Sequence, residues 1–442
     1  MNRKKFFASL LIFSFVGQIA WVVENMYFNV FIYKMFRASA DDIALMVEAS
    51  AVAATLTTIF IGALSDRMQK RRIFMCAGYI AWGVSILAFA LVRADLISSV
   101  FGAAANASAI AVTVVIILDC VMTFFGSSAN DAAYNAWLTD MTDETNRGRA
   151  EGINSMMPLL AVIAVFGGFM GFDLDSPDSW TWIYVIIGTV VLAIGITGFF
   201  IVEEAPAKKP DELGYMATIL YGFRPSVIKK NNRLYFTLIG FIIFGISIQV
   251  FMPYLLIYYE YTLGMSDYVL IMAPAIIVAA VVTAFYGRLI DRIGFKVAVF
   301  PSLGMLALGY ILLFLFPGVI GTSGAGMKIP VFIGSLLMMS GYLTGMASFG
   351  TNIRNETPES MAGRFQGLRI IGQVLIPGVV GPAIGAAVLK NADTVVNSDG
   401  TTSFLPSNMI FLAALIVIAV LVIGLTVYYA VRRERTKRYE KS

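Results

Sequence analysis

The feature that most limits how this chain can fold is the recurrence of apolar runs of membrane length. Twelve stretches, at roughly 6–33, 43–65, 73–93, 110–137, 151–172, 180–202, 234–259, 267–289, 297–317, 329–353, 365–389 and 407–431, match the length of a helix crossing a bilayer, which takes about 20 residues. Within hydrocarbon every backbone polar group must bond inside its own segment, so runs of this kind become helices. Composition agrees. Of the 442 residues 58% are hydrophobic and 14% charged, against about 25% charged in a soluble domain. The expected fold class is an all-α polytopic membrane protein with twelve transmembrane helices. A soluble enzyme, a nucleic-acid binder and a disordered chain are excluded, and a net charge of +4 is too small to ask for a polyanionic partner.

The chain contains no histidine, which removes the usual zinc ligands, triad bases and imidazole proton relays. Cys76 and Cys120 lie inside apolar runs and read as buried small hydrophobes rather than a disulfide or metal pair. No cofactor is expected beyond a coupling ion. Arg3-Lys4-Lys5 followed by an apolar stretch imitates a signal peptide, but the run continues to Tyr33 without a small-x-small site. It is expected to be an uncleaved first span.

The longest polar interruption, 203–233, contains Pro206, Pro210 and Pro225 and divides six spans from six. The expected domains are an N-terminal half over 1–202, a middle loop over 203–233, and a C-terminal half over 234–442 ending in a basic tail. Within the loop, 213–223 has the composition of a short amphipathic helix lying on the membrane face. Of the 32 Lys and Arg, all but Lys34, Arg37, Arg93, Lys328 and Lys390 fall on the side holding both termini. By the positive-inside rule that side is cytoplasmic, in a cell (inner or plasma) membrane.

The halves echo each other. Gly62-Ala-Leu-Ser-Asp66-Arg67-Met-Gln-Lys70-Arg71-Arg72 follows span 2, and Gly287-Arg-Leu-Ile-Asp291-Arg292-Ile-Gly-Phe-Lys296 follows span 8. Gly148-Arg149-Ala-Glu-Gly152 before span 5 recurs as Gly363-Arg364-Phe-Gln-Gly367 before span 11. Related halves of this kind are the architecture of alternating-access carriers. The loop sequence Gly62-x-Leu64-x-Asp66-Arg67-x-x-Lys70-Arg71 resembles the loop 2–3 signature of the major facilitator superfamily, and Gly287-x-x-x-Asp291-Arg292 resembles its weaker copy in loop 8–9. One departure is Met68-Gln69, where the family usually has a glycine in the second position. The resemblance implies two pseudo-symmetric six-helix halves. Gly62, Asp66, Arg67, Arg71, Gly287, Asp291 and Arg292 are the expected conformational switch: a charged contact made in one conformation and broken in the other biases a two-state equilibrium.

Ionisable groups inside hydrocarbon cost several kcal/mol unless they face a cavity or partner, so acids within spans mark function. Glu24 in span 1 and Asp119 in span 4 lie equally deep, each about 14 Å from the outer end at 1.5 Å per residue. In the superfamily's fold, spans 1, 4, 7 and 10 line the central cavity. Gln18, Trp21, Glu24, Asn25 and Phe28 fall on one broad face of span 1, and Asp119, Thr123, Ser127, Asn130, Tyr134 and Trp137 form a stripe along span 4. The C-terminal half offers neutral groups: Gln249, Ser340, Thr344, Ser348, Thr351 and Gln373, with Arg369 near the end of span 11. The expected solute site is Gln18, Trp21, Glu24, Asn25, Asp119, Thr123, Asn130, Tyr134, Gln249 and Gln373. The expected cation-coupling residues are Glu24, Glu48 and Asp119. Asp131 is expected to brace loop 4–5 with Arg147 or Arg149, Trp180 and Trp182 to form an interfacial belt, and Gly167-Gly168-x-x-Gly171 and Gly378-x-x-Gly381-Pro382 to mark close packing and kinks.

Amides, hydroxyls and carboxylates suit the hydroxyls of a sugar, and Trp21 or Tyr134 could stack on a pyranose. An acid pair without an opposing lysine disfavours anionic solutes. The acid pattern is similar to the glycoside–pentoside–hexuronide cation symporters, a branch with acids in spans 1, 2 and 4. That resemblance implies that Glu24 and Asp119 hold sugar and that Glu48 serves the cation, with sodium at Glu48 and Asp119 if sodium is the ion. The chain departs from the branch in having one acid in span 2 and Arg369 where the branch has a span 11 lysine. Two readings stand: a secondary carrier importing a neutral polar solute, such as a sugar or glycoside, with protons or sodium, and a cation-coupled exporter of drugs or hydrophobic metabolites. Both take a small-molecule substrate and a lipid bilayer as partners, no nucleic acid, and a single working chain.

Overall fold

A computed structural model of the chain describes residues 3–101, 107–143, 146–204, 217, 220–315, 325–357, 362–397 and 400–439. Among these, 12 helices are long and apolar enough to cross a membrane: Arg3–Phe36, Ala40–Ser65, Arg71–Phe89, Ala107–Asp140, Gly152–Phe169, Pro177–Ile201, Asn232–Thr262, Val269–Ile293, Phe295–Leu315, Lys328–Glu356, Gly367–Leu389 and Met409–Val431. They are numbered spans 1 to 12, and each lies within a few residues of its apolar run. The expected surface helix over 213–223 falls mostly on residues outside those described. The chain then makes a 3₁₀ turn at Tyr221–Phe223 and a short helix at Pro225–Lys230 before span 7.

Local chemistry explains the span ends. Span 2 starts on a capping box: Ser39 Oγ accepts from the Asp42 amide at 3.2 Å, and the Ser39 amide donates to Asp42 Oδ2 at 2.9 Å. Two matching helix ends stop differently. After Asp66-Arg67-Met68 the chain leaves the helix through Gln69 in the left-handed region, at φ 53° and ψ 31°. After Asp291-Arg292-Ile293 it leaves through Gly294, at φ 73° and ψ 163°. The second conformation is essentially restricted to glycine, whereas the first costs a residue with a Cβ only about 1–2 kcal/mol. The glycine-less departure in loop 2–3 thus keeps the turn and accepts a modest strain.

The residues form two compact units, Met1–Tyr221 with Thr394–Phe404, and Gly222–Asp393 with Leu405–Ser442. In the first, span 1 packs on spans 5 and 6, span 2 on span 4, and span 3 on spans 4 and 6. In the second, span 7 packs on spans 11 and 12, span 8 on span 10, and span 9 on spans 10 and 12. The pairs 1–5 and 2–4 recur as 7–11 and 8–10, as expected of repeated halves. The segment Thr394–Phe404, an antiparallel hairpin of β1 (Thr394–Val396) and β2 (Thr402–Phe404), belongs to the N-terminal unit. Tyr33 Oη donates to the Phe404 carbonyl at 2.7 Å, with the two rings 5.3 Å apart.

Close approach of helices uses glycines other than those expected. A Cβ on Gly83 would lie 2.5 Å from the Leu192 amide nitrogen, and one on Gly195 2.6 Å from that of Ile80, so spans 3 and 6 meet backbone to backbone. Gly381 packs tightly against Gln249, in line with its expected role. Gly167 and Gly168, however, have nothing within 4 Å, because that face of span 5 is turned away from its neighbours. Trp180 is likewise no belt residue. It is buried, and its Nε1 donates to the Leu174 carbonyl at 2.8 Å, while Trp182 is 61% exposed.

Four spans are not regular. Span 1 has a π-helical turn at Val23–Tyr27, span 4 at Ser127–Tyr134, span 7 at Tyr258–Thr262 and span 11 at Ile371–Leu375. A π turn inserts an extra residue into the helical repeat and often marks a functional site. Glu24, Asn25, Asn130, Tyr134 and Gln373 all lie in these turns.

Candidate functional site

The centre of the site is Glu24, buried within the π turn of span 1. Its Oε1 accepts from Ser50 Oγ of span 2 at 2.9 Å and from Thr123 Oγ1 of span 4 at 2.8 Å, and those two hydroxyls lie 2.8 Å apart. Asp119, one helical turn before Thr123, is 2% exposed. Glu24 Oε2 and Asp119 Oδ1 are buried without a hydrogen-bond partner. The charges acting on Glu24 are those of other acids, Asp119 and Asp131. Buried carboxylate oxygens without partners are costly, and they persist where a ligand or proton completes them.

The same unit also holds unpartnered donors. Trp21, one turn before Glu24, packs its ring 5.1 Å from that of Trp82 on span 3, and both indole nitrogens are buried without an acceptor. Trp82 fills the space left by Gly126, where a Cβ would lie 2.7 Å from the indole Cε2. Gln18 is half-buried on span 1, and Asn25 is exposed, its Nδ2 donating to the Trp21 carbonyl at 2.7 Å. Sequence reasoning missed Ser50 and Trp82. Neither lies on a polar stripe, and only their position opposite Glu24 and Trp21 reveals them.

The span 4 stripe does not hold together. Asn130 and Tyr134 are buried in bonds between helices: Tyr79 Oη donates to Asn130 Oδ1 at 3.1 Å, and Tyr134 Oη to Asn154 Oδ1 at 2.8 Å. The π turn is the reason, since spacings of three and four no longer return to one face after it. Asp131 accepts from Ser127 Oγ at 2.9 Å, within its own helix. Arg149 lies over the Phe7 ring at 4.5 Å, and the side chain of Arg147 is outside those described. Glu48 is half-buried, with Asp41 as the charge acting on it. Among the described residues no three acids gather into a metal-sized group, so Glu48 does not join Glu24 and Asp119.

In the C-terminal unit, Gln249 of span 7 and Gln373 of span 11 are half-buried. Thr344 and Ser348 of span 10 turn their hydroxyls to carbonyls of their own helix, those of Ser340 at 2.6 Å and Thr344 at 2.8 Å, which leaves their donors occupied.

At the end of span 2, Arg71 of the expected switch set pairs with span 4. Its Nε lies 3.1 Å from Asp140 Oδ2 at the end of span 4, and its Nη1 donates to Ser65 Oγ at 2.5 Å. Both partners of the ion pair are nearly buried, at 10% and 11% side-chain exposure. Asp140 was not anticipated, because at the edge of a loop it reads as a solvated acid. Gly62 lies 3.9 Å, by its added Cβ, from Ala132 Cβ of span 4. The Asp66 side chain is outside those described, and Arg67, Asp291 and Arg292 are exposed. Gly287 has nothing within 4 Å of an added Cβ.

A bundle of twelve membrane-length helices in two units with repeated pairings, with buried acids in one of them, defines a class of transporter. The Major Facilitator Superfamily profile matches residues 7–382, and the chain belongs to that family. It is therefore a multi-pass membrane transporter rather than an enzyme. By structure it is similar to a mutant form of the nucleoside transporter NupG, with a TM-score of 0.69 at 13% identity over 95% of this chain and 98% of that one. It is also similar to a bacterial homologue of the human lysosomal transporter Spinster in an inward-facing, unoccupied conformation. There the TM-score is 0.63 at 14% identity, covering 98% of both chains. The occupied conformation of that homologue gives 0.62 at 15% identity over 98% and 97%. These likenesses establish the fold. No functionally curated protein matches the chain significantly by sequence.

Proposed function

We propose that the chain is an importer of a neutral, hydroxyl-bearing solute, of the sugar or glycoside class, driven by a coupled cation and working by alternating access with both termini in the cytoplasm. The observation that carries the reading is that spans 1, 3 and 4 of one unit hold both buried unpartnered acceptors, Glu24 Oε2 and Asp119 Oδ1, and buried unpartnered donors, Trp21 Nε1 and Trp82 Nε1. Hydroxyls both donate and accept, so a polyol satisfies both sets at once, and an indole face suits the apolar face of a sugar ring. An anionic solute would meet acids and is disfavoured. The likeness to a nucleoside transporter supports including nucleosides, which are glycosides of a base. A cavity at the opposite end of the N-terminal unit, walled by Phe31, Phe36, Phe89 and Trp180, contains no acid and does not suit such a solute.

The test is uptake into proteoliposomes of a panel of labelled sugars and nucleosides under an imposed proton or sodium gradient. Accumulation of one panel member, lost in Glu24→Gln, is the expected result. If no member accumulates under either gradient while a hydrophobic cation is extruded, the exporter reading replaces it.

A further inference from the structure

Three oxygens of the N-terminal unit close a triangle. Glu24 Oε1 to Ser50 Oγ is 2.9 Å, Ser50 Oγ to Thr123 Oγ1 is 2.8 Å, and Thr123 Oγ1 to Glu24 Oε1 is 2.8 Å. Every side is a hydrogen-bond length for an oxygen pair, and each such side needs a proton between its oxygens. Each hydroxyl supplies one. An ionised Glu24 supplies none, so one side would set lone pair against lone pair. A proton on Oε1 supplies the third, and the ring then closes with each oxygen donating once and accepting once. A cation cannot take its place in the plane. The centre of such a triangle lies about 1.6 Å from each oxygen, and even the small magnesium ion keeps about 2.0–2.1 Å.

Ser50 is the member of this ring that span 2 contributes, between Glu24 of span 1 and Thr123 of span 4. It has one proton to give. When Glu24 donates to Ser50, the Ser50 proton serves Thr123 and the Thr123 proton serves Glu24, so the ring closes. When Glu24 is ionised, both hydroxyl protons are drawn to it and the side between Ser50 and Thr123 is left without one. The titratable groups facing this cluster are Asp119 and Asp131 of span 4 around Glu24, and Cys120 of span 4 and Tyr184 of span 6 beside Asp119. Span 2 contributes only the hydroxyl. None of these groups is a cation.

We propose that Ser50 is a positioning residue that holds a proton on Glu24, so that the coupling ion is a proton rather than sodium. This rests on reading the cluster as the coupling site of the proposed importer. Infrared spectroscopy of the purified full-length chain in lipid tests it without a transported solute. The expected result is a carboxylic-acid carbonyl band at neutral pH that disappears in Glu24→Gln, is unchanged when sodium replaces potassium, moves to higher wavenumber in Ser50→Ala and returns in Ser50→Thr. Should Ser50→Ala fail to fold, Ser50→Cys, with its weak S–H, shows the same displacement. In proteoliposomes, Ser50→Ala lowers proton-driven accumulation about tenfold and Ser50→Thr restores it. A band absent from the wild-type protein, retained in Glu24→Gln or unmoved in Ser50→Ala overturns the proposal, as does accumulation driven by sodium alone. Failure of every panel solute to accumulate, with the band behaving as expected, counts against the importer and leaves the proton ring standing.

Discussion

In the N-terminal unit many buried polar atoms have no bonding partner, among them the acid and indole atoms Glu24 Oε2, Asp119 Oδ1, Trp21 Nε1 and Trp82 Nε1 and the neutral Asn29 Oδ1, Thr55 Oγ1, Thr58 Oγ1 and Tyr184 Oη. In the C-terminal unit buried hydroxyls have partners. Ser247 Oγ lies 3.0 Å from the Ala414 carbonyl and 3.1 Å from Tyr310 Oη, and Tyr259 bonds Ser335. Among the described residues of that unit, Tyr258 Oη alone is buried without a bond. Helices paired in the same way can therefore do different work. The first unit retains buried hydrogen-bonding capacity, and the second closes nearly all of its own within the protein.

The contrast extends to the ion pairs and is sharpest there. Arg71→Ala breaks a nearly buried ion pair with Asp140, and is expected to cost about 3–5 kcal/mol. Lys328→Ala in the C-terminal unit breaks a pair with Asp267 whose side chains are 42% and 41% exposed, and is expected to cost about 1 kcal/mol or less. Thermal unfolding of both variants in lipid decides the matter, and equal losses would erase the distinction. Next in size, Glu24→Gln is expected to lower driven solute accumulation about 100-fold, the scale of leaving buried hydrogen-bonding partners unsatisfied. Gln249→Ala, which removes a neutral amide, is expected to lower it no more than about tenfold. Uptake measured side by side would expose a symmetric site if the two losses matched. At the matching helix ends, Gly294→Ala forces a Cβ into a glycine-only conformation at about 1–3 kcal/mol. Gln69→Gly relieves left-handed strain and is expected to raise stability by about 1 kcal/mol or less. A melting temperature that falls in both variants would show that the ends are not equivalent.

The spans were readable because hydrophobicity over about 20 residues leaves the chain no other structure in lipid. Glu24 and Asp119 were readable because acids in such runs are expensive. What escaped the sequence is everything that depends on azimuth around a helix. Ser50 looks like any small residue of a membrane span until its face is known, and Gly83 and Gly195 cannot be told from Gly167 and Gly168 without knowing which of them meets a neighbour. The bonds of Asn130 and Tyr134 with Tyr79 and Asn154 escaped for the same reason, since a constant period cannot anticipate a π turn. Asp140 escaped differently, as a loop-edge acid whose burial depends on Arg71 folding back from the next helix.

The π turn of span 1 turns a count into a position. Removing one residue from Val23–Tyr27 would leave an uninterrupted α-helix, still long and apolar enough to cross a bilayer, but it would rotate everything on one side of the cut by about 100° relative to the other. Trp21 and Tyr33 could then no longer both keep their present neighbours, the indole of Trp82 and the carbonyl of Phe404. The membrane would accept such a deletion without complaint, because hydrocarbon reads only length and greasiness. The site would not, because its geometry depends on the parity of a single inserted residue.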